Sequence, residues 1–249
     1  MAVHVYIKEQ NTVQKRVTNY FSYLALTAGC LLLFWAFYPV VSFEIYSRLF
    51  IPRDVVAPIP SSQVTSPLEL ANSTWGASYI FSSNLRDFTD ASLWFPSKAK
   101  EARSKKINLK EYSLAIPKLG IDKALVKVGG DDLSKSLIHY LPASEPGESG
   151  NVVIFGHSTL PQLYNPQDYK SIFTYLPSMS KGDKVIVEVD DLTFEYEIFE
   201  MFVVNPEDVS VLAPKHDASY LTLITCVPPG TYWKRLIVRA KLTKFPTEL

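Results

Sequence analysis

The first strong pattern along the chain is a long apolar run near its start. Twenty-seven consecutive residues, Val17–Phe43, carry no charge. In a helix that rises about 1.5 Å per residue, this run extends roughly 40 Å, more than the ~30 Å hydrocarbon core of a bilayer. Tyr20 and Tyr38 belong to aromatic groups near its two ends, as membrane interfaces favour. The pattern predicts an uncleaved membrane anchor over 20–43.

Two other interpretations of this run fit less well. A signal peptide has an apolar region about half as long, followed by small residues at its cleavage site, whereas Glu44 and large side chains follow here. A buried core helix rarely continues this far without a charge. Three basic residues and one acidic residue lie in the tail 1–19. The positive-inside rule therefore predicts a cytoplasmic tail, with the chain after the anchor exported.

The next part of the chain has the pattern of a spacer. Four prolines lie among small polar residues from Pro52 to Pro67, which predicts an extended, semi-rigid segment. A basic run follows at 98–106; it could contact anionic lipid or wall polymer, although a solvated helix face is the simpler interpretation. We therefore predict a stalk over 44–110.

The pattern changes at Tyr112 to short β-rich segments separated by turn sequences. Seven or eight short strands over 111–249 predict a small antiparallel or mixed barrel or sandwich, an all-β domain. Asp132–Leu137 and Asp168–Tyr175 are the only plausible helices. The predicted strands are Tyr112–Ile116, Ala124–Val128, Asn151–Phe155, Lys184–Val189, Phe194–Val204, Tyr220–Cys226 and Leu236–Leu242.

Composition excludes several classes of protein. The 25 basic and 25 acidic residues, with 47% hydrophobic content, exclude a disordered charged tail and a chain-wide surface for nucleic acid. Two cysteines are too few for a disulfide scaffold or a zinc ribbon. The zero net charge divides into +2 over 1–43, +3 over 44–110 and −5 over 111–249. This segregation fits a basic anchor and stalk near an anionic membrane, carrying an acidic domain.

Cys226 is the one cysteine outside the predicted anchor. It closes an apolar strand that Pro228 and Pro229 end at once, so its thiol is predicted at the rim of a sheet. Cys30 lies in the anchor and cannot reach it, which excludes an intramolecular disulfide. A buried small hydrophobe is the alternative role for Cys226.

Two further residues match a reactive thiol. His157 follows a predicted strand and Gly156, and an imidazole can activate a thiol or protonate a leaving amine. Arg235 opens the last strand nine residues after Cys226, where its guanidinium could hold a substrate carbonyl or an oxyanion. Taken singly, His157 also fits a polar rim residue, and Arg235 a surface ion pair with Glu200.

Three segments, in this order, resemble the sortase family, the exported cysteine transpeptidases of bacterial cell surfaces. They are Asn151–His157, Thr222–Cys226, which matches the family's TLxTC strand, and Lys234–Val238. The resemblance covers about 112–242. It implies an eight-stranded β-barrel that recognises an LPxTG-like sorting signal on a secreted protein.

The resemblance also implies roles for individual residues. Cys226 would attack the Thr–Gly carbonyl to form a thioacyl enzyme, His157 would protonate the leaving amine and activate the incoming one, and Arg235 would steady the signal or the oxyanion. The acceptor would be an amine of a peptidoglycan precursor or of a pilin. The implied substrate-binding residues are Ser158, Leu223 and Thr225.

The subclass follows from smaller features. Pilin-building members often carry an Asp-Pro-aromatic lid before the barrel, and here the nearest sequence is Leu93–Pro96, without Asp-Pro. A class D-like or housekeeping-like member is favoured. No cofactor and no metal are predicted; calcium is the less favoured alternative, since its candidate ligands lack a loop signature. These ligands are Asp131, Asp132, Glu145, Glu148 and Asp208.

Two other functions stay open on the sequence. The first is a membrane-anchored cysteine peptidase that only hydrolyses its substrate, because transfer and hydrolysis resolve the same acyl enzyme. The second is a non-catalytic surface β-domain used for adhesion or assembly.

Overall fold

A long α-helix precedes a β-barrel. The structure is a computed structural model, which describes residues 12–50, 90–91, 94, 109–140, 144–213 and 215–248. Helix α1, Thr12–Phe50, contains a stretch, Arg16–Ser47, that is long and apolar enough to cross a membrane. This helix fits a single-pass anchor. It continues beyond the predicted anchor end at Phe43, so the first residues of the predicted stalk are helical.

Several predictions lie outside the described residues. They concern most of the tail 1–19, the proline-rich segment Pro52–Pro67 and the basic run 98–106.

Eight strands close into a barrel in the order β1-β2-β3-β4-β7-β8-β6-β5. Closure settles the choice between barrel and sandwich, and the seven predicted strands are confirmed. Parallel pairing of β2 with β3 and of β4 with β7 makes the barrel mixed. The strands are β1 Glu111–Ile116, β2 Ile121–Val128, β3 Leu137–His139, β4 Gly150–Phe155, β5 Lys184–Val189, β6 Leu192–Val204, β7 Ser219–Val227 and β8 Lys234–Glu248.

The two predicted short helices are wrong. Over Asp132–Leu137 the chain forms a turn and then enters β3, and over Asp168–Tyr175 it forms successive turns. Both segments begin with an aspartate whose carboxylate accepts a hydrogen bond from the backbone N–H two residues on, Ser134 and Lys170 respectively. Such local side-chain bonds offer the backbone an alternative to the helical ladder.

Alternation along the strands separates two apolar clusters. One cluster fills the barrel interior and includes Leu221 and Leu223 of β7. The other covers part of the outer face and includes Ile224 and Cys226 of the same strand. Because successive side chains of a strand point to opposite faces, the thiol of Cys226 lies on the outer face, outside the barrel core.

Candidate active site

The pairing of β7 with β8 brings Cys226 and Arg235 together. The two residues are direct partners across the antiparallel ladder. The Cβ atoms of such partners lie about 4.5–5.5 Å apart on one face of the sheet. Both side chains are buried, with 4% of Cys226 and 5% of Arg235 exposed. The thiol and the guanidinium therefore share one covered site on the outer face.

The parallel pairing of β4 with β7 brings His157 to the same level. The last pair of this ladder is Phe155 with Ile224, and the N–H of Gly156 donates to the Ile224 carbonyl at 3.1 Å. His157 lies two residues after Phe155, just beyond the end of β4, and Cys226 lies two residues after Ile224 in β7. A Cβ at Gly156 would clash with the ring of Phe173, so only glycine allows the chain to pass here.

Two hydroxyl groups tie the histidine segment to the cysteine strand. The Thr225 hydroxyl donates to the Gly156 carbonyl at 2.8 Å. The Ser158 hydroxyl donates to the Cys226 carbonyl at 2.7 Å. Both bonds are buried, and they bracket His157 on its two sides. They fix the imidazole segment to the strand end that carries the thiol.

The surroundings of Arg235 differ from the ion pair considered from the sequence. Glu200 binds Arg239 at 3.0 Å, and Arg235 instead donates to backbone carbonyls. Its Nη1 reaches the carbonyls of Tyr232 and Lys234 at 2.9 and 3.2 Å, and its Nη2 reaches the Trp94 carbonyl at 3.5 Å. The guanidinium also lies 5.2 Å from the centroid of the Trp94 ring. The Glu200 interpretation is therefore wrong, and backbone groups position the guanidinium.

Burial keeps both reactive groups neutral. Burial raises the pKa of the Cys226 thiol, and the nearby Arg235 charge opposes this rise. Burial lowers the pKa of His157; the Asp168 charge opposes this and the Lys170 charge adds to it. At neutral pH the site therefore holds a thiol and a neutral imidazole rather than an ion pair.

Two polar atoms of the site have no hydrogen-bond partner within the described part of the chain. They are Nδ1 of His157 and Nε of Arg235, and both are buried. Most buried polar groups in proteins are paired, so each exception calls for a cause. The Tyr140 hydroxyl is a third such group, and its ring packs 5.3 Å from Phe155. These atoms are available to the polar groups of a bound peptide.

The three substrate-binding predictions are placed differently. Leu223 is fully buried in the barrel interior, so the prediction of a substrate contact finds no support in its position. Thr225 and Ser158 are buried at the site, and each donates its hydroxyl to a backbone carbonyl. Their position supports a role in holding the site together.

Sequence reasoning missed the aromatic cover of the site. Trp94 is 2% exposed, and its ring lies 5.5 Å from that of Phe155. It belongs to the same packed cluster as Cys226. The sequence signal was the aromatic segment Leu93–Pro96, but nothing in the sequence showed where that segment would pack.

The calcium alternative has little geometric support. In the described ranges no three His, Cys, Asp or Glu side chains gather as metal ligands. The carboxylates of Asp132 and Asp208 accept hydrogen bonds from Ser134 and Ser210 in their own turns. The absence of a cofactor stays a prediction.

Comparison with known proteins decides the family. The family model for the sortase domain matches residues 114–243, just over half of the chain. The chain belongs to the sortase family. The predicted family and the eight-stranded barrel are therefore confirmed. Sortases are cysteine transpeptidases, so the family also supports an enzyme.

Individual relatives each match part of the chain. Sortase D of Bacillus subtilis is 30% identical over 132 residues, which are 51% of this chain and 61% of that protein. Sortase A of Streptococcus agalactiae is 37% identical over 75 residues, 30% of each chain. The chain thus spans less than two thirds of either relative. The solved structure of sortase A from Corynebacterium diphtheriae matches with a TM-score of 0.50 and 25% identity, covering 72% of this chain and 86% of that one.

Proposed function

We propose that this sortase cleaves an LPxTG-like sorting signal on a secreted protein and transfers the new carboxyl end to an amine of the cell wall or of a pilin. The observation that carries the proposal is the meeting of Cys226, His157 and Arg235 at one covered strand end. Two buried polar atoms there, on His157 and Arg235, are free to take a substrate.

In the first half of the proposed reaction, Cys226 is acylated. As Sγ attacks the Thr–Gly carbonyl carbon, the thiol proton passes to the imidazole of His157, and charge develops on the carbonyl oxygen. The free Nε–H of Arg235 can donate to that oxygen, where a fixed donor stabilises the transition state. The C–N bond then breaks, and the amine leaves with the proton from His157. The product is a thioester on Cys226.

In the second half, an amine replaces the thiol. The neutral imidazole of His157 takes a proton from the incoming amine, whose nitrogen attacks the thioester carbonyl. The C–S bond breaks, and the Cys226 sulfur recovers a proton from the imidazolium. Water in place of the amine gives hydrolysis. Since Trp94 and Phe155 already cover the thiol, exclusion of bulk water favours transfer.

The proposal also covers location and class. An N-terminus in the cytoplasm and a barrel outside the membrane follow from the basic tail. A class D-like or housekeeping-like member stays our assignment. Protease added to intact cells should remove the barrel and spare the tail; protection of the barrel until the cells are lysed would overturn this orientation.

Product analysis tests the proposal. The full chain in detergent micelles is incubated with an LPxTG peptide, with and without an added amine, and the products are weighed by mass spectrometry. We expect a ligated product that depends on the amine and on Cys226. The matched variants are Cys226→Ala, which should abolish it, and Cys30→Ala, which should not.

Each contrary result has a separate meaning. Full turnover by Cys226→Ala would contradict the catalytic role of the thiol. Hydrolysed peptide alone, at saturating amine, would establish the hydrolase alternative. No cleavage of the peptide by the folded chain, with or without amine, would support the non-catalytic β-domain.

A further inference from the structure

A groove of about 750 Å³ lies between the C-terminal part of α1 and the barrel. On the helix side Tyr38, Phe43 and Tyr46 line it, and Pro161, Tyr175 and Pro229 are among its barrel residues. None of the described residues that line the groove carries a charge. Two loops supply its barrel wall: the β4–β5 connection, 156–183, and the β7–β8 loop, 228–233.

The length of α1 sets the depth of this groove relative to a bilayer. The candidate span has 32 residues, or about 48 Å of helix at 1.5 Å per residue. A hydrocarbon core of ~30 Å takes about 20 of them. Counted from Arg16, the last charge before the uncharged run, the core ends near Phe37, so Tyr38 and Phe43 lie at the level of the lipid headgroups. If Arg16 instead lay further from the hydrocarbon on the cytoplasmic side, Tyr38 and Phe43 would lie deeper, within the hydrocarbon.

The same two loops carry exposed apolar side chains. Leu163 is 66% exposed, Tyr175 41% and Trp233 58%. The other exposed large hydrophobic residues of the described barrel, Leu192 and Phe199, are each less exposed, at 38%. Tryptophan and tyrosine at headgroup depth are typical of a membrane interface, because one side of the ring is apolar and the other is polar.

We infer that the barrel rests on the lipid bilayer through these two loops, with phospholipid of the adjoining leaflet filling the groove against α1. Leu163 and Trp233 reach into the interface, and the uncharged groove takes the upper part of an acyl chain. This inference requires α1 to span the membrane and is independent of the proposed transpeptidation. Since Pro229 is three residues beyond Cys226, the bilayer surface lies beside the catalytic strand end.

The contact has a consequence for substrates. A barrel on a free stalk could act at any height that the stalk allows. A barrel seated on lipid holds Cys226 at one height, so a peptide must present its cleavage site close to the membrane surface. The arrangement favours substrates that are themselves held at the bilayer.

A quenching experiment with a matched leucine pair tests the inference. Single cysteines replace Leu163, Trp233 or Leu192 in the full chain carrying Cys30→Ala and Cys226→Ala, and each is labelled with an environment-sensitive fluorophore. Leu192 is the control, since it is exposed and begins β6, whose other end at Val204 pairs with Arg235. Thirteen residues of strand place it about 40 Å from the catalytic end. The labelled chains are placed in phosphatidylcholine nanodiscs with or without lipid carrying a headgroup-level spin label.

The expected result is strong quenching, severalfold, at 163 and 233 and little at 192. Equal quenching at all three positions, or none at 163 and 233, would overturn the inference. A blue-shifted fluorophore at 163 that the spin-labelled lipid fails to quench would show a protein partner at this surface, and would overturn it as well. Because the chain tested lacks Cys226, failure here says nothing against transpeptidation, and the product analysis says nothing about lipid.

Discussion

The end of the barrel that holds Cys226 differs from the rest of the outer face in how its arginines are paired. Arg235 and Arg239 lie on the same face of β8, four residues apart. Arg239 meets Glu200 at 3.0 Å in an ordinary ion pair. Arg235 is more deeply buried, and among the residues that the structure describes it has no carboxylate partner and its Nε has no hydrogen-bond acceptor. The two arginines share a residue type and a face. The ion pair with a carboxylate, rather than burial, separates Arg239, which has a structural role, from Arg235, which is available to a substrate.

Two histidines of the barrel, His139 and His157, differ in burial and position rather than in pairing, since each has one buried ring nitrogen without a hydrogen-bond partner among the described residues. His139 is fully buried, and its Nδ1 lies 3.0 Å from the Tyr112 hydroxyl. Burial lowers its pKa to about 4. His157 is only partly buried and stands level with Cys226. One histidine belongs to the core, and the other can exchange protons with a substrate.

Substitution of the two histidines should give the largest contrast. Without its acid and base, His157→Ala should lose on the order of 10³-fold in kcat/KM for transfer, with an unchanged melting temperature. His139→Ala leaves the Tyr112 hydroxyl buried without its partner, which costs about 1–3 kcal/mol of unfolding free energy. Its kcat/KM per folded molecule should stay near that of the parent. Peptide-transfer kinetics and urea unfolding measure the two effects. A large loss of activity in His139→Ala with little loss in His157→Ala would contradict the assigned roles.

The arginine pair should give the next largest effect. Loss of a positioned oxyanion donor lowers kcat by about 10²-fold or more, and lysine does not reproduce the guanidinium geometry. We therefore expect Arg235→Lys to lower kcat/KM by about this factor. Arg239→Lys should change it by less than about twofold, since lysine keeps the charge that meets Glu200 and the pair lies four residues along β8 from Arg235. Steady-state kinetics on both variants measure this. Equal losses in the two variants would show that activity depends on the arginines of this face of β8 in general and not on the absence of a carboxylate partner at Arg235.

Removal of the aromatic cover should have a smaller effect, of opposite sign. A buried cation–π contact contributes about 1–2 kcal/mol, so its loss should raise opening of the site about 5–30-fold. In a Cys30→Ala background, Trp94→Ala should therefore speed alkylation of Cys226 by iodoacetamide by this factor. Trp233→Ala, the exposed control, should leave the rate unchanged. An unchanged rate in Trp94→Ala would mean that Trp94 does not limit access to the thiol.

Loss of the Ser158 hydroxyl, which ties the histidine segment to the cysteine strand, should give the smallest change. Ser158 and Ser149 both donate to a backbone carbonyl at 2.7 Å, the first buried and the second exposed. Ser158→Ala leaves the Cys226 carbonyl unpaired, so we expect a loss of about 1–2 kcal/mol of stability and a fall in kcat with KM nearly constant. Ser149→Ala should change neither. If Ser158→Ala raises KM alone, the serine acts on substrate binding rather than on position.

The strands could be predicted because alternation and turn residues are local signals. β3 was missed because its three residues, Leu137–His139, are all buried and show no alternation. The alternation of side chains along β7 could also have shown that Leu223 and Thr225 lie on the opposite face from Cys226. The sequence pattern of a strand thus predicts which face a side chain lies on better than it predicts which residue it contacts.

The partners of the site depend on register and on distant contacts. In the β6–β8 ladder Glu200 lies opposite Arg239, whereas Val204 lies opposite Arg235, and no local pattern specifies this register. The Trp94 carbonyl meets a guanidinium 141 positions further along the chain. These contacts arise only when the barrel closes. The sequence could therefore point to Cys226, His157 and Arg235 as candidates, but not to the aromatic side chains that pack around them.

The most direct test of acylation at Cys226 is to measure the mass of the acyl enzyme. The full chain is mixed with an LPxTG peptide without amine, quenched in acid, and analysed by intact mass and peptide mapping. We expect an added mass equal to the acyl fragment on the peptide that contains Cys226, and we expect this mass to disappear when amine is supplied before the quench. Cleavage of the signal with no adduct on Cys226, or with the adduct on another residue, would contradict acylation at Cys226.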